Sequence, residues 1–270
     1  MPELPEVETT VRGLAGFLDG EVLTRVAANR PDMRFPFPPD LAQTLIGARI
    51  IGLARRAKYG LIHTDRGRTM IFHLGMSGRW RIDPDEIGKH DHLVIETAEH
   101  RFALHDPRRF GWVDLWDTGN LEIWPGFAAL GPEPLGDALT PHGLRSAMAG
   151  RKTAIKLLLL DQRIVAGLGN IYVCEALYRA RIHPRRAGGR VSLASFERLV
   201  PVIRQVLMEA IEAGGSTLRD YARPNGELGY FAARFDAYGR EGEPCRRCSA
   251  PIRRIGQGGR STWFCGQCQR

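Results

Sequence analysis

Near its start the chain places Val7, Val11, Leu14 and Leu18 three or four residues apart, the period of one face of a helix. A helix that begins near Pro5 and stops in the Gly16 to Gly20 region would bury that face and pin the start of the chain to a core. From residue 22 to about 116 the period changes. Alternating or β-branched runs recur at Glu21–Ala27, Arg49–Leu53, Gly60–Thr64, Thr69–His73, Trp80–Ile82, Leu93–Glu96, Phe102–Leu104 and Trp112–Trp116. Asp65-Arg66-Gly67, Gly75-Met76-Ser77-Gly78 and Asp106-Pro107 separate them with turn chemistry. The pattern predicts a β-sandwich or barrel with the first helix packed on it.

From about Gly131 the pattern turns helical. Thr140-Pro141 reads as an N-cap with proline in the first turn, and helices follow at Ala154–Leu160, Ile171–Arg181 and Leu193–Ala213. Ser192 would cap the last of these and Gly214-Gly215 would end it, with Pro201 the place for a kink. Residues 120–135, rich in Gly and Pro, predict a linker. Residues 216–244 have no clear period and carry Tyr221, Tyr230, Phe231, Phe235 and Tyr238, which predicts a long loop of the kind that carries function.

Composition adds a partner class. The 270 residues are 43% hydrophobic, enough for two domains and a small appendage, and the formal net charge is +8. An anionic polymer fits such a charge, and a membrane surface is the rival. The last 31 residues hold seven arginines against two glutamates. No apolar run approaches the ~18 residues that span a bilayer, and the acidic start lacks the features of a signal peptide, so the expected location is the cytosol. Four of the five cysteines lie in the last 26 residues, which suits a reducing compartment with one metal site and leaves Cys174 as a buried thiol.

Cys245-x2-Cys248 and Cys265-x2-Cys268, sixteen residues apart, form the strongest local signal. Four thiolates on two tight knuckles make a closed tetrahedral zinc ribbon, structural because no coordination position stays open. Between the pairs, Gly256, Gly258 and Gly259 predict a hairpin tip that presents Arg260. Such a ribbon suits a protein partner or a nucleic acid equally well. Gly167-Leu168-Gly169-Asn170 fits an ordinary helix cap or a phosphate-binding turn, and Lys152 and Lys156 nearby tilt it to the second. Arg55-Arg56-Ala57-Lys58-Tyr59 sets a lysine among cations; a solvated basic strand is the alternative. Met76, Arg108 and Phe110 lie on or beside turns, where Met and Phe can wedge into a duplex and Arg can satisfy an orphaned base, or the two apolar ones can be core.

The first residues complete the set. If Met1 is removed, Pro2 presents a secondary amine able to attack an anomeric carbon or aldehyde and give an iminium, with Glu3 beside it. The dipole of the following helix would draw phosphate to this end and disfavour protonation of the amine.

Read together, these residues resemble the bacterial formamidopyrimidine-DNA glycosylase family. The resemblance runs through Pro-Glu-Leu-Pro-Glu-Val-Glu at 2–8, Arg-Arg-Ala-Lys-Tyr at 55–59, His-Leu-Gly-Met-Ser-Gly at 73–78 and Lys-His-Asp-His at 89–92. It continues in Asp-Pro-Arg-Arg-Phe-Gly at 106–111, Lys-Thr-Ala-Ile-Lys at 152–156, Gly-Leu-Gly-Asn-Ile-Tyr at 167–172 and the four-cysteine ribbon. It implies an α+β multidomain fold: an N-terminal β-sandwich catalytic domain over 1–120, a helix-two-turn-helix domain over 131–215, a lesion-capping loop over 216–235 and a zinc finger over 236–270, with DNA in the cleft between the halves.

The implied activity is excision of 8-oxoguanine and formamidopyrimidines from damaged duplex DNA, followed by β,δ-elimination, by a monomeric enzyme of the bacterial cytosol with one structural Zn2+ and no membrane. By the same resemblance Pro2 is the Schiff-base nucleophile, Glu3 the acid/base, Lys58 a proton donor for β-elimination, and Arg260 a phosphate ligand that also serves δ-elimination. His73, His90, Arg108, Lys152 and Asn170 match DNA contacts, Met76, Arg108 and Phe110 match the void-filling set, and Glu6 lies in the lesion pocket. The sister family, endonuclease VIII, begins Pro-Glu-Gly-Pro-Glu and prefers oxidised pyrimidines; Leu4 and the Met76, Arg108 and Phe110 set argue against it. A non-catalytic zinc-ribbon DNA binder would leave Pro2-Glu3 without purpose.

Overall fold

A computed structural model describes residues 2–216 and 231–270. The chain divides into two compact units, one of residues 1–128 and 213–232, the other of residues 129–212 and 233–270.

In the first unit, α1 (Leu4–Leu18) starts from Glu3 in extended conformation, with Pro5 in the first turn, where a missing N–H costs nothing. Leu4, Val7, Val11, Leu14 and Leu18 are buried as their spacing requires, and Gly20 turns the chain away at φ +83°. Eight strands follow: β1 (Arg25–Ala28), β2 (Ile50–Arg56), β3 (Tyr59–Thr64), β4 (Arg68–His73), β5 (Arg79–Ile82), β6 (Asp91–Glu96), β7 (Arg101–His105) and β8 (Trp112–Asp117). They form two antiparallel four-stranded sheets, ordered β1-β6-β7-β5 and β2-β3-β4-β8.

The sheets face one another. Phe72 of β4 meets Trp80 of β5 edge to face at 5.7 Å, and Leu93, Ile95, Phe102 and Leu104 share one core with Ile62, Met70, Val113 and the apolar face of α1. Each such aliphatic side chain contributes roughly 1.5–3 kcal/mol on burial. β3 and β4 are buried on both faces because Trp124, Leu121 and Phe127, from the stretch after β8, cover Leu61 and Ile71 on the outer side. That stretch, read from its glycines and prolines as linker, opens with a 3-10 turn, Thr118–Ile123, and is half apolar cover. One short helix, α2 (Leu41–Leu45), carries too few residues to leave a periodic trace in the sequence.

The second unit holds α3 (Pro141–Met148), α4 (Ile155–Leu160), α5 (Asn170–Arg179), α6 (Leu193–Glu212) and the hairpin β9 (Ile252–Gln257) and β10 (Arg260–Cys265). Thr140 Oγ1 accepts the Gly143 N–H at 3.0 Å and Ser192 Oγ accepts the Ser195 N–H at 3.2 Å, so both expected caps form. α6 continues through Pro201 as one helix of 20 residues. Cys174 is buried on α5, as expected of a structural thiol.

The hairpin is built into this unit rather than hung from it. Glu175 of α5, fully buried, accepts the N–H groups of Asp236, Ala237 and Tyr238 at 2.8, 2.9 and 2.8 Å. Burial pushes its carboxyl above the ordinary range while the three donors oppose that rise. So part of the stretch read as loop, residues 236–238, is anchored, and it follows a 3-10 turn at Phe231–Arg234.

Candidate active site and nucleic-acid interface

The expected site residues fall into two groups, one on each unit. On the first, Pro2 is buried and Glu3 is 2% exposed at the N-cap of α1. The Glu3 N–H donates to Glu6 Oε2 at 2.8 Å, while Glu6 Oε1 accepts both the N–H and the hydroxyl of Ser216 at 2.8 Å. Glu6, expected in the lesion pocket, thus joins the head of α1 to the last residue before the 217–230 stretch. The expected capping loop, apart from Ser216 and residues 231–235, lies outside the described residues.

Lys58 sits in the turn between β2 and β3, where Ala57 takes a left-handed φ of 52°. Arg55 secures that turn: its Nη1 donates to the Ala57 carbonyl at 2.9 Å and its Nε to Glu8 Oε2 on α1 at 2.8 Å, with the guanidinium largely buried. The turn that carries Lys58 is therefore tied to the helix that Pro2 and Glu3 precede.

His73 ends β4. Its ring stacks on Trp112 at 5.8 Å and 19°, and its Nδ1 accepts the Gly75 N–H at 3.1 Å, which requires a lone pair there. Burial first, then the charges of Lys58 and Arg34, push its pKa from 6.5 down to about 4, so the ring is neutral at pH 7. The turns that follow β4 and β7 carry Met76, half-buried, and Arg108 and Phe110, both exposed. The Arg108 guanidinium lies 4.9 Å from the centre of the Phe110 ring. Phe110 is therefore not core. Arg34, His73, Gly75, Met76, Arg109 and Phe110 line an open groove at this place. His90, half-buried in the turn just before β6, packs edge-on against His92 and His105.

On the second unit, Lys152 is exposed ahead of α4 and Asn170 opens α5. Asn170 Nδ2 donates to the Ser261 carbonyl at 2.9 Å. Lys156 is fully buried and donates from Nζ to the same carbonyl at 3.2 Å and to Thr262 Oγ1 at 2.7 Å. Both residues grip β10 directly after Arg260. Gly258 and Gly259, at φ 55° and 72°, make the two-residue turn that twists with the strands, and Arg260 stands exposed beside it.

The four cysteines place their sulfurs within 4.8 Å of one another, with Cys245 and Cys268 at 3.9 Å and Cys248 and Cys265 at 3.5 Å. Tetrahedral zinc with ~2.3 Å bonds needs sulfurs about 3.8 Å apart, so the donor set fits a closed structural Zn2+. Tyr178 Oη lies 3.1 Å from Cys245 Sγ, a hydrogen bond to one ligand from α5.

Three segments match family descriptions: residues 1–113 the formamidopyrimidine-DNA glycosylase N-terminal domain, residues 130–222 its H2TH domain, and residues 242–270 the zinc finger found in FPG and IleRS. A formamidopyrimidine-DNA glycosylase from Erythrobacter litoralis is 72% identical over 271 residues, covering 100% of both chains. The chain belongs to the formamidopyrimidine-DNA glycosylase family.

Among solved structures, the Lactococcus lactis FPG mutant G226P in complex with a Fapy-dG containing DNA has a TM-score of 0.93 at 35% identity, covering 100% of each chain. FPG from Thermus thermophilus has a TM-score of 0.89 at 40% identity, covering 99% of this chain and 98% of that one. The fold expected of a formamidopyrimidine-DNA glycosylase is the one found: N-terminal sheets, H2TH helices and a C-terminal zinc hairpin. Several supporting contacts are not legible in the sequence because the partners are distant along the chain: Ser216 for Glu6, Arg55 for Glu8, and β10 for Asn170 and Lys156. Lys156, read from the sequence as favouring a phosphate-binding turn, is instead fully buried against β10. No described helix is long and apolar enough to cross a membrane.

Proposed function

We propose that this chain excises oxidised purines from duplex DNA and then cuts the abasic strand, the base-excision-repair chemistry of its family, with Pro2 as nucleophile. Full-length kinship at 72% identity to a formamidopyrimidine-DNA glycosylase carries the reading. With Met1 removed, the Pro2 amine attacks C1′ of the damaged nucleotide while Glu3 delivers a proton to the sugar or base. The C1′–N bond breaks and the base leaves with its electron pair. Opening of the sugar gives an iminium, which accepts the electrons released when the C2′ proton is removed; the C3′–O and then the C5′–O bonds break. Lys58 supplies a proton in the first elimination and Arg260 serves the second.

His73, His90 and Lys152 contact DNA in this reading, and Asn170 and Arg260 hold its phosphates. Met76, Arg108 and Phe110 fill the space left by the everted nucleotide, and Glu6 borders the lesion pocket. The work is divided among a catalytic domain (1–120), a DNA-binding helical domain (131–215), a capping loop (216–235) and a zinc finger (236–270). The enzyme works as a monomer in the bacterial cytosol. Burial of Pro2 and Glu3 at a helix N-terminus supports the chemistry, because it fixes the nucleophile and surrounds it with partial positive charge.

Borohydride trapping on an 8-oxoguanine duplex tests the reading. A covalent complex forms with the processed chain, and a peptide left in front of Pro2 abolishes it while DNA binding persists, because an amide nitrogen has no available lone pair. A blocked chain that traps at the normal rate removes Pro2 from the role.

A further inference from the structure

The Met76 turn and the Arg108–Phe110 turn are separated by some thirty residues yet share one buried carboxylate. Asp106 is 0% exposed and Ser77 is 5% exposed. The Ser77 hydroxyl donates to Asp106 Oδ1 at 2.6 Å, the length of a charge-assisted bond. The same oxygen accepts the Arg108 N–H at 3.3 Å, and Oδ2 accepts the Gly111 N–H at 2.8 Å. Asp106 thereby shapes the turn that carries Arg108 and Phe110 and also holds the turn that carries Met76.

Two further observations make this a junction rather than a local cap. The backbones of the two turns are pressed together: Gly75 has φ +62°, and a Cβ there would lie 2.3 Å from the Phe110 carbonyl carbon. Behind the carboxylate, the Asp106 N–H donates to the His90 carbonyl at 2.9 Å, and His92 Nε2 lies 2.8 Å from the Asp106 carbonyl. The half-buried Met76 and the exposed Arg108 and Phe110 stand on a single buried frame.

We propose that Ser77 and Asp106 form a latch that makes the Met76 turn and the Arg108–Phe110 turn one rigid wedge, and that these two positioning residues set discrimination of the base opposite the lesion without touching DNA. The proposal rests on the reading of Met76, Arg108 and Phe110 as void-filling residues. A wedge enters a duplex at least cost when its parts are already aligned. With the hydroxyl gone, the two turns move separately, and Arg108 meets the opposite base in several geometries. Chemistry at Pro2 does not depend on that alignment once the base is absent.

The test compares excision of 8-oxoguanine paired with cytosine and with adenine in wild type, Ser77→Ala, Asp106→Asn, the double variant and Arg108→Ala. Nicking of a preformed abasic duplex is the internal control. Ser77→Ala reduces the preference for cytosine by about tenfold, the scale of one hydrogen bond to a buried charge, and leaves abasic nicking unchanged. Asp106→Asn loses at least as much, and the double variant loses no more than Asp106→Asn, since both substitutions cut the same connection. An unchanged preference in Ser77→Ala, or an equal loss on every substrate including abasic DNA, overturns the latch. An unchanged preference in Arg108→Ala overturns the wedge reading itself and the latch with it, a failure distinguishable from the first because it appears in Arg108→Ala. If Asp106→Asn does not fold, Ser77→Ala decides alone.

Discussion

Glu3 and Glu6 stand one turn apart at the head of α1 and share a capping box there. Glu6 holds backbone and hydroxyl partners at 2.8 Å on both oxygens, whereas Glu3 is the residue next to the proposed nucleophile. Glu3→Gln should lose excision of 8-oxoguanine by roughly 10²–10⁴-fold, the usual contribution of a general acid or base, while nicking of preformed abasic DNA largely survives. Equal loss of both, with DNA affinity intact, would place Glu3 in the shared imine steps.

His73 offers a second residue-scale prediction. Its folded pKa of about 4 lies below the ordinary 6.5, so between these values the unfolded chain binds the proton and the folded chain does not. Stability then rises with pH across that window; the contribution of this group is complete above about 6.5 and is lost as pH falls toward 4. An imidazole NMR titration of the free protein should find a midpoint near 4, and one near 6.5 would contradict the buried, Nδ1-accepting geometry.

Among elements, the zinc hairpin has two supports of different kinds. A two-stranded hairpin is marginal alone, and its buried cluster is small: Ile252, Cys245 and Cys265 with Tyr178 and Ala237. Thiolate ligation secures the knuckles, while Lys156 and Asn170 hold β10 beside Arg260. Cys245→Ser should therefore lose zinc by metal analysis and with it most of the DNA affinity measured by fluorescence anisotropy. Zinc lost with affinity retained would remove the finger from the DNA site.

At the scale of the whole molecule, charge sets how the enzyme responds to salt. With a net charge of +8 and several proposed phosphate ligands, binding should weaken with salt along a log-log slope of about −0.9 per phosphate contact. Arg260→Ala should flatten that slope by about one contact without changing preference for the opposite base. Arg108→Ala should do the reverse. A slope unchanged in Arg260→Ala would show that its guanidinium meets no phosphate.

The covalent pattern of the chain was enough for its parts. Periods of two and of three to four residues located nearly every strand and helix, because a face that must be buried has to recur at the pitch of its element. The cysteine pairs announced the metal, because a tetrahedral site needs two knuckles at short spacing. What the linear order could not carry were pairings between residues far apart along the chain. That Glu6 closes on Ser216, that Arg55 joins the Lys58 turn to α1, that Lys156 is a buried strut and that Asp106 serves two turns follow only from packing. Each of these is a buried polar group whose partner must be found within the fold, and the side chain available to satisfy it is decided by which surfaces meet.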